Sequence, residues 1–271
     1  MHATRSRSSV FSHLEADNVG AMARFKVGVQ LHPQHTTIEQ IRHAWQRFDQ
    51  LGVDSIWTWD HFFPLSGARN GRHFEGLTLL PAIAVDTKHA QFGVMVTCNS
   101  YRNPDLLADM ARTVDQLGGG RFILGIGSGW FERDYREYGY EFGTVGSRLR
   151  DLEKALPRIK ARLKKLNPPP KGKLPILIGG AGEKVTLRLV AQYADMWNAF
   201  GPSSNYRRLN GILDDWCRRV SRDPSTIERT ISVTRGVEDP ERYLEAGARH
   251  IILELDPPYE TRTVEKLLAA R

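Results

Sequence analysis

Cysteine is scarce in this chain: only Cys98 and Cys217 occur among 271 residues. Two cysteines give no disulfide framework, and neither has metal-ligand spacing, which fits a reducing cytoplasm. No apolar run is long enough to cross a bilayer, so a membrane-spanning reading falls away. No set of His, Cys and carboxylate residues has metal-site spacing, so no metal is expected. The glycine cluster at Gly179 is not followed by Gly-Lys-Ser/Thr, which excludes a Walker loop, and the first strand candidate carries no dinucleotide fingerprint. Gly127-Ser128-Gly129 lacks the spacing of a hydrolase nucleophile elbow. The net charge of +7 is the one lopsided quantity. Lys and Arg are interleaved with Asp and Glu along helix patterns, as in Arg148-Leu-Arg-Asp-Leu-Glu-Lys154. That is the pattern of solvated helix faces rather than of a nucleic-acid surface. A basic protein also draws anionic small molecules toward it.

The chain has an ordinary soluble composition, 41% hydrophobic and 25% charged. Short apolar runs recur along it, at Phe25–Leu31, Ser55–Asp60, Gln91–Cys98, Phe122–Gly127, Pro175–Gly179, Met196–Phe200, Thr230–Thr234 and Ile251–Leu255. They are nearly continuous in apolar character, as strands buried on both faces of a parallel sheet are. Helix patterns fill most of the gaps. Thr37–Leu51 carries apolar residues at helical spacing and stops at Gly52, and Asn103-Pro104 opens a second helix that ends at Gly118-Gly119-Gly120. Further helices are read over Leu149–Leu166, Val185–Tyr193, Tyr206–Val220, Pro240–Ala246 and Thr263–Ala270.

Eightfold strand–helix alternation in a chain of this length predicts an α/β fold of one domain, a (β/α)8 TIM barrel over residues 23–271, with a doubly wound open sheet as the alternative. Residues 1–22 are read as a poorly ordered tail with Met22 as an alternative start; Arg5, Arg7 and the serines there lack the apolar core of a secretory signal. Two insertions, His61–Gly76 after the second strand and Trp130–Ser147 after the fourth, fall on the side where barrels place their chemistry.

Asp60-His61 ends the second strand, and a carboxylate beside an imidazole at that end suits acid–base work. The bland reading is a loop-capping Asp and a solvent-facing His. Gly179-Gly-Ala-Gly-Glu183 follows the fifth strand and leads into a helix, where free amides hold phosphate and glycines allow close approach; the bland reading is a turn. Ile123-Leu-Gly-Ile-Gly-Ser-Gly-Trp130 joins a strand to a ligand-facing run of glycines and a hydroxyl. Thr97–Arg102 clusters donors after the third strand, and His32, His35 and His73 are further rim candidates. Trp57, Trp59, Phe62, Phe63 and Trp130 supply aromatic walls for a flat ring, with Trp57 expected in the core and Trp59 nearer the site.

In combination these segments resemble the bacterial luciferase-like superfamily, in its branch using the deazaflavin coenzyme F420. The matching pieces are Ser55-Ile-Trp-Thr-Trp-Asp-His-Phe62, Tyr101-Arg-Asn-Pro104, Leu124-Gly-Ile-Gly-Ser-Gly-Trp-Phe131, Gly139-Tyr-Glu-Phe142 and Ile178-Gly-Gly-Ala-Gly-Glu183. The resemblance implies a cytoplasmic oxidoreductase, commonly a homodimer. It would transfer a hydride between F420 and a small organic substrate, as a reductase, with no nucleic-acid or membrane partner. It places Asp60 by the ring and His61 as proton donor, both in catalytic positions. Met95, Val96 and Cys98 would prop the ring, through a non-proline cis peptide near Met95–Val96. Ser128, Gly129 and Arg133 would run along the cofactor, and Gly180, Ala181, Gly182 and Glu183 would line its phosphate. His32, Phe63 and Trp130 are left to face the substrate. The sugar-phosphate dehydrogenases of the branch have Glu where Trp130 stands and Trp where Leu65 stands, which argues against a sugar phosphate here. A flavin mononucleotide (FMN) monooxygenase needing a partner reductase, and a non-catalytic flavin-binding barrel, are the alternatives.

Overall fold

A computed structural model describes residues 23–234 and 239–271. The tail read over residues 1–22 lies outside the described residues. In chain order the elements are β1 (Lys26–Leu31), α1 (Ile38–Leu51), β2 (Ser55–Thr58), α2 (Gly76–Asp86), β3 (Gln91–Val94), β4 (Thr97–Cys98), α3 (Pro104–Leu117), β5 (Phe122–Gly127), α4 (Glu132–Tyr138), α5 (Val145–Leu163), β6 (Ile176–Gly179), α6 (Thr186–Tyr193), β7 (Met196–Phe200), α7 (Ser203–Arg219), β8 (Glu228–Val233), α8 (Pro240–Glu245), β9 (His250–Leu255) and α9 (Arg262–Ala270).

Local chemistry sets the helix ends. Thr37 accepts from the Gln40 amide while the Gln40 side chain reaches back to Thr37, a capping box that starts α1; Gly52 in a left-handed conformation ends it. Asn103 caps α3, with Pro104 in its first turn. Val27 and Val29 of β1 and the buried face of α1, which includes Ile41, Trp45 and Phe48, join the layer between strands and helices.

All strand pairs are parallel. β1 pairs with both β2 and β9, and β3 pairs with β5, so the sheet closes on itself. That decides for the barrel over the open sheet. The third stave breaks into β3 and β4 at a cis Met95–Val96 peptide, at the expected place. Gly127 and Gly179, on neighbouring strands, make room there: a Cβ on either would press into the Val96 side chain. Inside the barrel, Trp57, Met95, Ile123, Leu177, Met196 and Ile252 form one apolar plug. Filled interiors of this kind leave only the ends of a barrel open to chemistry.

At the lower end, where strands begin, a polar chain runs from the half-exposed Lys26 into the barrel. Lys26 Nζ donates to Glu228 (2.7 Å), His250 Nδ1 donates to the same carboxylate (2.8 Å), Ser55 bonds His250 Nε2 (2.8 Å), and Trp57 Nε1 donates to Ser55 Oγ (2.7 Å).

Candidate active site

At the upper end, where the strands finish, a cavity of about 250 Å³ opens above the plug. It brings together Asp60, His61, Met95, Val96, Cys98, Gly129, Trp130 and Gly180 from five different strand ends. The Asp60-His61 pair and the start of the glycine turn therefore face one space, as the resemblance requires.

His61 does not pair with its neighbour. Its Nδ1 lies 2.8 Å from Oδ2 of Asp134, a residue of α4 in the second insertion with no solvent exposure. The same carboxylate accepts from the Phe62 amide (3.1 Å) and from the Tyr101 hydroxyl (3.1 Å). A carboxylate that accepts from an amide and a phenol has no proton to offer His61, so Nδ1 carries the proton of this bond and Nε2 keeps its lone pair. Burial holds the Tyr101 phenol protonated, which keeps it a donor. Trp59, Trp130 and Phe131 pack edge-on around the imidazole.

Asp60 also lines the cavity, with its carboxylate engaged by neighbouring residues. Its carboxylate accepts from Thr97 Oγ1 (2.6 Å), the Cys98 amide (3.0 Å) and both terminal nitrogens of Arg102 (2.6 and 3.1 Å). Arg102 also holds Glu75, which caps α2. Three of these bonds fall on Oδ2 and one on Oδ1, and together they fix the β4 end and the loop after it. Cys98 is buried and bonds the Tyr135 hydroxyl at 3.0 Å; burial pushes its thiol up, so it stands in the wall as a neutral group.

Other expected residues lie off the cavity. Arg133 is held by the Arg69 carbonyl, Asn70 and Glu137, and its guanidinium stacks 3.9 Å over Phe63; neither lines the cavity. His32 stacks on Trp59 at 4.0 Å and bonds Asp256, and burial lowers its basicity. His73 accepts from Trp59 Nε1 at 3.0 Å; burial first, then the nearby His61, pushes it down to about 4, so it stays neutral. These two rim histidines orient Trp59, which lines the cavity, while Trp57 sits in the plug as expected. Ser128 bonds through its carbonyl to Tyr135 and does not line the cavity. Gly129, at φ 81°, has no room for a side chain: a Cβ would strike Tyr135 and Cys98.

The turn after β6 enters the cavity only at Gly179 and Gly180; Ala181, Gly182 and Glu183 continue outward. The Gly180 amide is taken by Asn198, whereas those of Ala181–Lys184 have no partner among the described residues. The Glu183 carboxylate is occupied by Arg208. α6 begins at Thr186 without a side-chain cap. Exposed, unbonded amides of this kind accept an anion well.

The floor was not read from the sequence. Gln30 donates to the Met95 carbonyl (2.6 Å), Asn198 bonds Ser232 and Thr230, and Glu254 projects from the end of β9. Strand-end position was the available signal for all of them.

A family model described as luciferase-like monooxygenase matches residues 18–270. An F420-dependent hydroxymycolic acid dehydrogenase of Mycobacterium tuberculosis is 28% identical over 79% of this chain and 63% of its own. An F420-dependent glucose-6-phosphate dehydrogenase of Amycolatopsis mediterranei is 34% identical over 42% of this chain and 34% of its own. The chain thus spans less than two thirds of these relatives. Among solved structures, an F420-dependent secondary alcohol dehydrogenase with a bound F420–acetone adduct superposes with a TM-score of 0.77 at 17% identity, covering 89% of this chain and 98% of that one. Likeness at that identity speaks for the fold. The family match spans nearly the whole barrel, and the chain belongs to the luciferase-like monooxygenase family.

Proposed function

We propose that this chain is an F420-dependent oxidoreductase that reduces a small organic acceptor at the upper cavity. The carrying observation is the convergence on one cavity of the Met95 and Val96 wall, the glycine turn and an imidazole held by Asp134. The residues fit the cofactor. Trp59, Leu65, Met95, Val96 and Trp130 give apolar faces for a flat ring, and Gly180 with the unbonded amides of Ala181–Lys184 gives a cradle for its phosphate. Bound there, a deazaflavin supplies the hydride.

The chain supplies geometry and the proton. Asp60 and Arg102 hold the β4 end, and so position the wall formed by Met95, Val96 and Cys98. His61 Nε2 faces the bound pair with Nδ1 anchored, and exchanges a proton with the acceptor. Leu65 and Trp130 both line the cavity, so the two departures from the sugar-phosphate enzymes fall where substrate is chosen. That supports a less polar acceptor, such as a ketone or an activated C=C or C=N. A cytoplasmic setting and a homodimer go with this reading; sedimentation measures the latter.

The family also includes FMN proteins. A type II Baeyer–Villiger monooxygenase solved with FMN superposes at a TM-score of 0.63 and 18% identity. Fluorescence titration with F420 and FMN separates the readings. Tight F420 binding followed by oxidation of reduced F420 by a ketone or enone is expected. Tight FMN binding without F420 binding overturns the proposal, and F420 binding with no hydride exchange across an acceptor panel reduces the protein to a carrier.

A further inference from the structure

Glu254 is the group that this account leaves without work. It ends the inward row of β9, beside Gln30 on β1 in the parallel register, and it lines the floor of the cavity. Gln30 is committed to the Met95 carbonyl, and on the far side Asn198, Ser232 and Thr230 satisfy one another. The Glu254 carboxyl makes no hydrogen bond or ion pair among the described residues. The residue is half-buried, and a carboxyl without a protein partner on the floor of a cavity is free to meet a bound molecule; sites of reaction are where such groups are kept.

We propose that Glu254 is a second acid–base residue of this cavity, donating its proton to the oxygen of a carbonyl acceptor bound above it. This role rests on the F420 reading. Hydride from the reduced deazaflavin adds to the carbonyl carbon and the C=O π pair moves to oxygen. The O–H bond of Glu254 breaks and its proton completes the alcohol. The carboxylate left behind regains a proton from water. In the reverse direction the carboxylate takes the proton from the alcohol. A carbonyl takes up one proton, which Glu254 supplies; His61, two staves away at the end of β2 with its Nδ1 proton held on Asp134, is left to serve an activated C=C or C=N acceptor.

The surroundings favour the neutral acid. Burial, and then the charge of Asp256 two residues on, push the Glu254 carboxyl up to about 7. β1 presents Gln30 and His32, and His32 is already bonded to Asp256; β8 presents Ser232. Further round the rim stand His61, the neutral thiol of Cys98, and Asp60 with its charge met by Arg102. No cation among these reaches Glu254 to hold it ionised.

Two measurements on Glu254→Gln test the role. In single-turnover oxidation of reduced F420 by a ketone, wild-type rates should fall as pH rises through about 7. E254Q should be about 10²-fold slower at pH 6 and lack that limb, while F420 affinity stays within a few-fold. The His61→Asn variant should keep the limb. Thermal melts of the free protein give a reading that needs no cofactor: E254Q should match wild type at pH 4 and gain on it as pH rises to 8, because only the wild type must ionise an acid whose site disfavours its charge. Wild-type rate in E254Q at pH 6, a limb that survives the substitution, or melts that never diverge would each overturn the assignment. Failure of wild type to bind F420 would instead sink the cofactor reading and this role with it.

Discussion

Two glutamates on adjacent strands show how differently the two ends of this barrel are built. Glu228 opens β8 at the lower end and Glu254 is the last but one residue of β9 at the upper. Burial works against ionising both. At Glu228 it is outweighed by the His250 hydrogen bond and charge and by Lys26, and the carboxyl comes down to about 2. At Glu254 nothing outweighs it, and the carboxyl goes up to about 7. The lower end spends its polar groups on one another. The upper end leaves an acid, an imidazole nitrogen and a run of amides unspent, which is what a site needs in order to spend them on a ligand.

The largest effect is expected at the upper end. His61→Ala should lower turnover by about 10²–10⁴-fold while F420 affinity, read by fluorescence titration, changes little. Unchanged turnover would remove His61 from proton transfer and weaken the contrast between the ends. Next comes Asp60→Ala, which strips a bidentate partner from Arg102, a side chain only 12% exposed. Breaking a buried pair on one side costs about 3–5 kcal/mol, so denaturant melts should show a large loss, with weaker F420 binding as the β4 end loosens. A stable D60A variant would mean that the clamp is dispensable.

The lower end offers the opposite pH signature. Glu228 has its folded value depressed from 4.5 to about 2, so its contribution is complete above 4.5 and disappears as pH falls through about 2. The shift corresponds to about 3 kcal/mol. Glu228→Gln should forfeit that at neutral pH and lose less than wild type between pH 4.5 and 2, as followed by acid titration of the melting temperature. E254Q gains stability at neutral pH where E228Q loses it, and equal signs for the two would erase the comparison. The smallest effect belongs to Trp130, at the rim and 63% exposed. Trp130→Ala should leave stability within about 0.5 kcal/mol and raise the KM for an apolar acceptor a few-fold. A large drop in stability would mean that the ring packs a core rather than a mouth.

The strands were legible because parallel staves buried on both faces must be apolar, and Phe122–Gly127 and Met196–Phe200 run as read. α2 was not read: it is apolar almost all round and contains Pro81, so it shows no helical period. α4 hid within an insertion read as a loop, and α5 starts four residues early, where Thr144 and Ser147 form its cap. Asp60 and His61 were read as a working pair because they adjoin in sequence. Successive residues leaving a strand face different ways, and here Asp60 turns to Arg102 while His61 turns to Asp134.

From the sequence alone came the alternation, the barrel, the rim that carries the chemistry and the family resemblance, because periodicity and local motifs are properties of neighbouring residues. The pairing of His61 with Asp134, 73 positions away, was decided only by the closed fold, as were the spending of Asp60 on Arg102 and the solitude of Glu254. Burial and partnership depend on which distant segments meet at one end of a cylinder, and those two quantities set whether a carboxyl clamps a loop, orients an imidazole or keeps its proton.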